Sequence, residues 1–212
     1  MKECASRGGV WWISGGRLIL VDARRRARWL PIIAFPHEEV LRKAFGEMIG
    51  VAGNLGCRPR LVFVESLAGS GGIYADGLIA VGLQDARQIL EQVWAGNPAT
   101  LIGRIRAVTG DAAMSIRQAA NFLFVAVVAR IIAHELGHAM RAQLGVRTPF
   151  SDEEAAADFI AGVLDGARGR DREIGRRIFR AIGCEALTCT HPTPYERAWA
   201  YVAGHEYASE TA

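Results

Sequence analysis

Short apolar runs, bounded by turn-forming residues, dominate the first part of the chain. The strands that this pattern predicts are residues 10–13, 17–21, 29–35, 60–65, 73–75 and 78–83. Ser14-Gly15-Gly16 and Asp76-Gly77 are hairpin-type turns between neighbouring runs. Pro31 lies inside the third run, and proline in a strand favours an edge position. We also expect residues 78–83 to form an edge strand.

Longer apolar periods of helical spacing dominate the rest of the chain. The predicted helices are residues 36–55, 85–94, 98–109, 116–144, 152–167, 171–182 and 194–207. Strands come early and helices late, which predicts the α+β class, with a small antiparallel or mixed sheet packed on a long helix and C-terminal helices. We expect one domain over residues 1–212, made of an N-terminal β element (1–35) and a core (36–212).

Composition and the length of the apolar stretches indicate the cellular compartment of this domain. The chain has 212 residues, half of them apolar, and a formal net charge of +3, which identifies no partner class. The sequence shows no secretory signal pattern. The most apolar stretch, residues 122–133, is interrupted by Arg130 and is too short to span a bilayer. A soluble, cytoplasmic protein is therefore expected.

Two smaller features bear on compartment and partners. Cys184 and Cys189 could form a local disulfide, but reduced thiols are expected in a cytoplasmic chain. The run Arg24-Arg25-Arg26-Ala27-Arg28 lies near tryptophans and could contact anionic lipid or nucleic acid. A solvated edge is the more common role of such a run, so no nucleic-acid partner is expected.

The first candidate metal-binding and catalytic residues lie on the predicted long helix, residues 116–144. His134 and His138 are four residues apart, so both imidazoles project from one helical face and can bind one ion. Glu135 lies between them and could accept a proton from a water that attacks a peptide carbonyl. This spacing with this acid is the zincin signature, and it predicts a zinc-dependent peptidase that acts on protein or peptide substrates.

A catalytic zinc needs a third protein ligand, and the next helix offers carboxylates. Glu154 and Asp158 share a helical face, so we expect Glu154 to bind zinc and Asp158 to accept a hydrogen bond from His134. Glu153 is the alternative ligand. A structural interpretation also stays open, because Ser151 and Glu154 fit a helix capping box. The small residues Ala157, Ala161 and Gly162 beside this stripe predict a close approach to the metal-binding helix.

Three blocks of residues together resemble a known family. They are His134-Glu135-Leu136-Gly137-His138, Glu154-Ala155-Ala156-Ala157-Asp158 and Thr190-His191-Pro192-Thr193-Pro194-Tyr195-Glu196-Arg197. Their order resembles the M48 metallopeptidases, the gluzincin family that includes the HtpX and Ste24 (CAAX-protease) branches, over about residues 120–204. The resemblance implies a zincin-like fold, zinc on two histidines and a glutamate, and Glu135 as general base.

The third block adds two roles through the same resemblance. It implies that His191 stabilises the oxyanion and that Arg197 holds the loop in place. Independently, His191 precedes a capping-box pattern at Thr193 and Glu196, so it is expected on a short anchored loop from which it could donate to negative charge. It could instead only pack the loop. The other candidate donors are Tyr195, Tyr201 and His205.

The resemblance has one clear departure. HtpX and Ste24 proteins are membrane-embedded, whereas this sequence predicts no spanning helix, so a soluble minimal form is expected and membrane substrates are not carried over. Two other functions stay open: a regulatory zincin similar to the ImmA/IrrE group, which acts on repressors, and a zinc-binding module without catalysis. An intact Glu135 argues against the last.

Overall fold

The computed structural model describes residues 10–21, 27–53, 55–56, 58–75, 77–182 and 192–211. Within these ranges the chain is α+β, as predicted, with two small sheets and seven helices. The helices are α1 Glu38–Ala52, α2 Leu83–Gly96, α3 Pro98–Thr109, α4 Ile116–Leu144, α5 Glu153–Gly166, α6 Arg172–Ile182 and α7 Pro194–Thr211. Each predicted helix is present, with ends that differ by a few residues.

The N-terminal sheet is a three-stranded antiparallel meander. It contains β1 Val10–Ser14, β2 Arg17–Val21 and β3 Ala27–Pro31, in that spatial order. Gly15 and Gly16 form the first turn with φ of 55° and 72°, the left-handed conformations that a tight two-residue hairpin requires. Pro31 ends the edge strand β3, which confirms the edge position predicted for it.

The second sheet lies at the centre of the fold and is mixed. It contains β4 Arg60–Val64, β5 Gly72–Ala75 and β6 Leu78–Gly82 in the order β4-β6-β5. β6 pairs in parallel with β4 and antiparallel with β5. The prediction that residues 78–83 form an edge strand is therefore wrong. All five β6 residues are buried, since the strand is covered on both faces. Its continuous apolar run is typical of such a strand. β5 lies at one edge of the sheet.

The central sheet has a different layer on each face. Leu61, Phe63, Ile79 and Val81 face a core shared with α1 and α4. Val62, Val64 and Ala80 face the opposite way and pack against Trp11 and Leu18 of the N-terminal sheet. The backbone N–H of Ile33 donates to Phe63 O at 2.9 Å and joins the two sheets. The N-terminal β element is thus a third layer on the central sheet.

Helix α4 runs through the centre of the molecule. Ser115 and Gln118 cap its start reciprocally, and Gly145, with φ of 63°, ends it. Among the described residues it is the one helix long and apolar enough to cross a membrane, with a window mean hydropathy of 1.6. Residues 122–133 were expected to be too short to span a bilayer, but the helix that contains them is long enough. Yet 67% of that window is buried inside the fold, as is usual for a core helix.

Helices α5 and α7 pack with their backbones in contact. A Cβ added to Gly204 would collide with the carbonyl of Phe159, and one added to Gly162 would collide with the carbonyl of Tyr201. Gly162 therefore faces α7, not the metal-binding helix as predicted. The close approach of α4 to α5 is made by Gly137, where an added Cβ would lie 2.7 Å from Ala157 O.

Candidate metal centre

The two histidines of the candidate site lie in the last turns of α4. Their spacing brings the rings together, with centroids 4.7 Å apart and perpendicular planes. His134 Nε2 and His138 Nε2 lie 3.1 Å from each other, so both nitrogens point at one location. His134 is buried, and His138 lies at the boundary with solvent.

The first turn of α5 brings a carboxylate to the same location. Glu154 is buried, with Oε2 3.3 Å from His134 Nε2 and Oε1 3.8 Å from His138 Nε2. The helix is capped by Asp152, whose carboxylate accepts from the N–H of Ala155 at 2.9 Å. The capping-box interpretation of Ser151 and Glu154 is therefore wrong, and Glu154 faces the histidines.

These donor separations match a tetrahedral metal site. Ligand atoms held about 2.0–2.1 Å from one ion at tetrahedral angles are about 3.3 Å apart. Here the two Nε2 atoms are 3.1 Å apart and Glu154 Oε2 lies 3.3 Å from His134 Nε2, while the other oxygen of Glu154, Oε1, lies 3.8 Å from His138 Nε2. Two imidazole nitrogens and one carboxylate oxygen, all within 4.8 Å of one another, form a group that could hold a metal ion.

A buried carboxylate and a buried guanidinium support His134 from behind. His134 Nδ1 lies 2.7 Å from Asp158 Oδ1, which leaves Nε2 to face Glu154. Arg197 donates from Nε to Asp158 Oδ2 and from Nη2 to Oδ1, both at 2.7 Å. The resemblance implied that Arg197 holds a loop. Most of that loop lies outside the described residues. Within the described residues, Arg197 contacts the site itself, since Nη2 also lies 3.2 Å from His134 Nδ1.

Charge coupling within this group shifts several pKa values. Burial opposes the charged form of His134, but the Asp158 carboxylate outweighs it and raises the pKa of His134 to about 9. Burial likewise opposes ionisation of Asp158, yet Arg197 and His134 keep its pKa below the ordinary range. Glu154 has a lowered pKa for a similar reason, since His134 outweighs the effect of burial. The metal-free site therefore carries both carboxylates ionised and His134 protonated.

Glu153 has a separate position at the rim. Its Oε1 lies 3.4 Å from His138 Nδ1, while its side chain is 77% exposed. It therefore contacts the far nitrogen of His138, on the opposite side of the ring from Glu154. Glu154, and not the alternative ligand Glu153, belongs to the group that could hold a metal ion.

The side chain of Glu135 extends from α4 to the edge strand β5 of the central sheet. Its side chain is buried, and a Cβ added to Gly72 at the start of β5 would lie 2.8 Å from Glu135 Oε1. The same Cβ would lie 2.5 Å from Ile131 Cγ2. Only glycine therefore lets β5 pass this close to the carboxylate. Sequence reasoning missed Gly72, although a glycine directly before a strand is a signal of close backbone approach.

The candidate donors named from the sequence lie in different places. His191 lies outside the described residues, as do Cys184, Cys189 and residues 24–26 of the arginine run. The capping box that follows His191 is present, with Glu196 accepting from the N–H of Thr193 at 2.8 Å. Residues 192 and 193 therefore enter α7 through an anchored turn.

The three alternative donors lie on α7. Tyr201 is buried and donates to Asp165 Oδ2 at 3.0 Å, and burial raises the pKa of its hydroxyl. His205 Nε2 lies 2.8 Å from the carbonyl of Arg170. Tyr195 is 77% exposed. Tyr201 and His205 are thus engaged elsewhere.

The chain matches no protein-family model, no curated protein and no solved structure. The functional assignment therefore rests on the residues and geometry of this site.

Proposed function

We propose that this chain is a zinc-dependent metallopeptidase with a zincin-type fold, similar to the M48 peptidases in a minimal form. The observation that carries the proposal is the arrangement of His134, His138 and Glu154. Their donor atoms are separated by 3.1 to 3.8 Å, and Glu135 lies on the same helical turn as the histidines. This is the ligand set and the acid that metal-assisted peptide hydrolysis uses.

The donor set favours zinc over the hard cations. Calcium and magnesium bind mainly oxygen atoms at higher coordination numbers, whereas two imidazoles and one carboxylate suit four-coordinate zinc with one open position. Zinc held by these three side chains would supply a Lewis acid for a water and a peptide carbonyl. Asp158 fixes the tautomer and orientation of His134 through the 2.7 Å contact to Nδ1.

Glu135 is proposed as the general base. Its buried carboxylate lies beside the metal-facing histidines, with Gly72 above it, in a position to take a proton from a water and return it to the departing amine. Burial opposes the charged form of Arg197, but the carboxylates of Asp158, Glu154 and Glu135 outweigh it and raise the pKa of this guanidinium. Arg197 therefore stays charged beside these carboxylates.

The edge strand β5 supports a peptide as substrate. Among the strands that the structure describes, β5 pairs with β6 alone and therefore lies at an edge of the sheet, the position at which a peptide can add as a further strand. β5 begins at Gly72, directly over Glu135. An extended peptide aligned along β5 would therefore pass the general base with its backbone, as hydrolysis of an internal peptide bond requires.

Peptide cleavage with metal removal and return tests this function. Purified protein is incubated with a proteome-derived peptide library, and new termini are identified by mass spectrometry. We expect cleavage that stops with a zinc chelator and returns with about one zinc per chain. A zinc-binding module without catalysis predicts bound zinc and no cleavage. A regulatory zincin of the ImmA/IrrE kind predicts cleavage confined to a repressor-type substrate.

A further inference from the structure

The loop between β4 and β5 has an unusual backbone. It covers residues 65–71, and Ala68, Gly69 and Gly71 have φ of 58°, 90° and 69°. Among the described residues, Ala68 is the one non-glycine residue with positive φ. The left-handed conformation is unfavourable for alanine, so the surrounding structure has to hold it in place.

One buried carboxylate holds this loop. Asp85, in the first turn of α2, accepts from the backbone N–H of Leu67 at 2.6 Å and of Gly69 at 3.0 Å. The hydroxyl of Ser66 also donates to Asp85 Oδ1 at 2.9 Å. Asp85 is 4% exposed, and its bond to the N–H of Leu67 is buried, whereas the bonds to Ser66 and Gly69 are partly buried. A side chain distant in sequence thus organises both sides of the left-handed Ala68.

The arrangement leaves no space for another side chain. A Cβ added to Gly82, at the end of β6, would collide with Asp85 Oδ2 and lie 2.9 Å from the N–H nitrogen of Leu67. Gly82 therefore lies directly against this hydrogen bond. We call the group formed by Asp85, Ser66 and the N–H groups of Leu67 and Gly69 the loop clamp.

The clamped loop leads directly into the catalytic surface. A Cβ on Gly71 would lie 3.6 Å from Ile89 Cδ1 and 3.8 Å from Ile131 Cδ1, so the loop ends on α2 and α4. The next residue, Gly72, lies over Glu135. The position of the loop therefore determines where β5 begins relative to the general base.

We propose that Asp85 is a positioning residue of the enzyme, which acts through the loop on the substrate. This inference rests on the proposed peptidase function. β5 extends from Glu135 in one direction only, and the clamped loop occupies the other direction. A peptide that adds to β5 in the antiparallel sense, the more stable pairing, has its N-terminal side on β5 and its C-terminal side on the loop. Asp85 therefore positions the loop that binds the substrate residues on the C-terminal side of the cleaved bond.

Two variants test the clamp from opposite sides. Asp85→Ala removes the acceptor, and Gly82→Ala places a methyl group between the acceptor and Leu67 without changing Asp85. In both, amide hydrogen exchange at Leu67, Gly69 and β5 should become faster. Asn97→Ala is the matched control, because it removes a capping acceptor that takes the Thr100 N–H at 3.1 Å, away from the loop.

The kinetic measurement separates positioning from general structural damage. Peptides that extend several residues beyond the cleaved bond on the C-terminal side are compared with peptides that carry one residue there. We expect both clamp variants to raise the KM of the long peptides about tenfold, to change the short peptides less than about twofold, and to keep zinc affinity. Asn97→Ala should leave all three quantities unchanged.

Several results would overturn the inference. One is unchanged exchange at Leu67 and Gly69, which would mean that the clamp does not hold the loop. Another is an equal loss for long and short peptides, which would assign Asp85 a structural role only. If the wild-type protein cleaves no peptide, the proposed function fails and the positioning role fails with it. An active wild type with unaffected variants contradicts the positioning role alone.

Discussion

Arg197 on α7 holds Asp158 on α5 through two parallel hydrogen bonds of 2.7 Å. Both side chains are buried, and Asp158 Oδ1 also contacts His134 Nδ1. The guanidinium, the carboxylate and the imidazole therefore form one chain of contacts that ends at the metal-facing nitrogen. Three helices are joined through it, so the orientation of His134 depends on the packing of α4, α5 and α7.

Removing Arg197 should affect stability and metal binding together. Arg197→Met leaves Asp158 buried without its cation, and loss of one partner of a buried pair costs about 3–5 kcal/mol. We expect a destabilisation of that order in urea unfolding, and a zinc affinity lower by about 10–100-fold in chelator competition.

The double variant Asp158→Leu/Arg197→Met is the control for this prediction. It removes both charges, so much of the stability should return while zinc affinity stays low, because His134 has lost its partner. An Arg197→Met protein that binds zinc as tightly as wild type would show that the contact chain does not orient the ligand.

The two neighbouring glutamates of α5 should differ sharply. Glu154 is buried against both histidines, whereas Glu153 is exposed beside the far nitrogen of His138. Glu154→Ala should lower zinc affinity by more than about 100-fold, beyond the loss expected for an outer hydrogen-bond partner. Glu153→Ala should change it less than about threefold, because exposed charge pairs contribute little. Equal losses in the two variants would contradict the assignment of the third ligand.

Gly72→Ala should impair catalysis without loss of metal. The new Cβ would lie 2.8 Å from Glu135 Oε1 and 2.5 Å from Ile131 Cγ2, so β5 or the carboxylate has to move. We expect zinc content to stay at wild-type level while kcat falls by about 100-fold, the effect of a displacement near 1 Å. Gly103→Ala on α3, where nothing lies within 4 Å, is the control and should keep full activity. An unchanged kcat in Gly72→Ala would show that the position of β5 does not affect the reaction.

Zinc binding should strengthen as pH rises. In the metal-free protein Asp158 outweighs burial and raises the pKa of His134 from 6.5 to about 9, so a ligand must displace that proton. The apparent zinc affinity should therefore fall as pH decreases below about 9, by about tenfold per pH unit from this group alone.

The metal-free fold should show the opposite trend. A raised pKa adds stability that is fully present below pH 6.5 and is lost as pH rises through about 9. In Asp158→Asn the carboxylate charge is absent, so the pH dependence of zinc binding should move to lower pH. A zinc affinity independent of pH between 6.5 and 9 in wild type would contradict this assignment.

Local sequence patterns were sufficient for the helices and for the group of residues that could hold a metal ion. The spacing of His134 and His138 within one helix fixes a shared face, and the spacing of Glu154 and Asp158 does the same on α5. Turn glycines and caps marked most ends, although Asp152 and not Ser151 caps α5. These features depend on neighbours in sequence, so one chain is enough to predict them.

Features that depend on contacts between distant segments could not be predicted in this way. The order β4-β6-β5 places β6 in the centre, because pairing partners are chosen by packing on both faces. The engagement of Tyr201 by Asp165, and of Leu67 by Asp85, joins residues far apart in sequence. The contact of Asp158 with His134 was expected from their helical spacings, but no such pattern points to Asp165 or Asp85 as the acceptor of these donors.

The measurement that tests the central claim most directly compares wild type with Glu135→Gln on the same peptide library. Both proteins are loaded with zinc, and metal content and new peptide termini are determined in parallel. We predict about one zinc per chain in each, cleavage by wild type, and none by Glu135→Gln, because the amide cannot accept a proton from water. Equal cleavage by the two proteins, or a wild type that binds no zinc, would contradict the account.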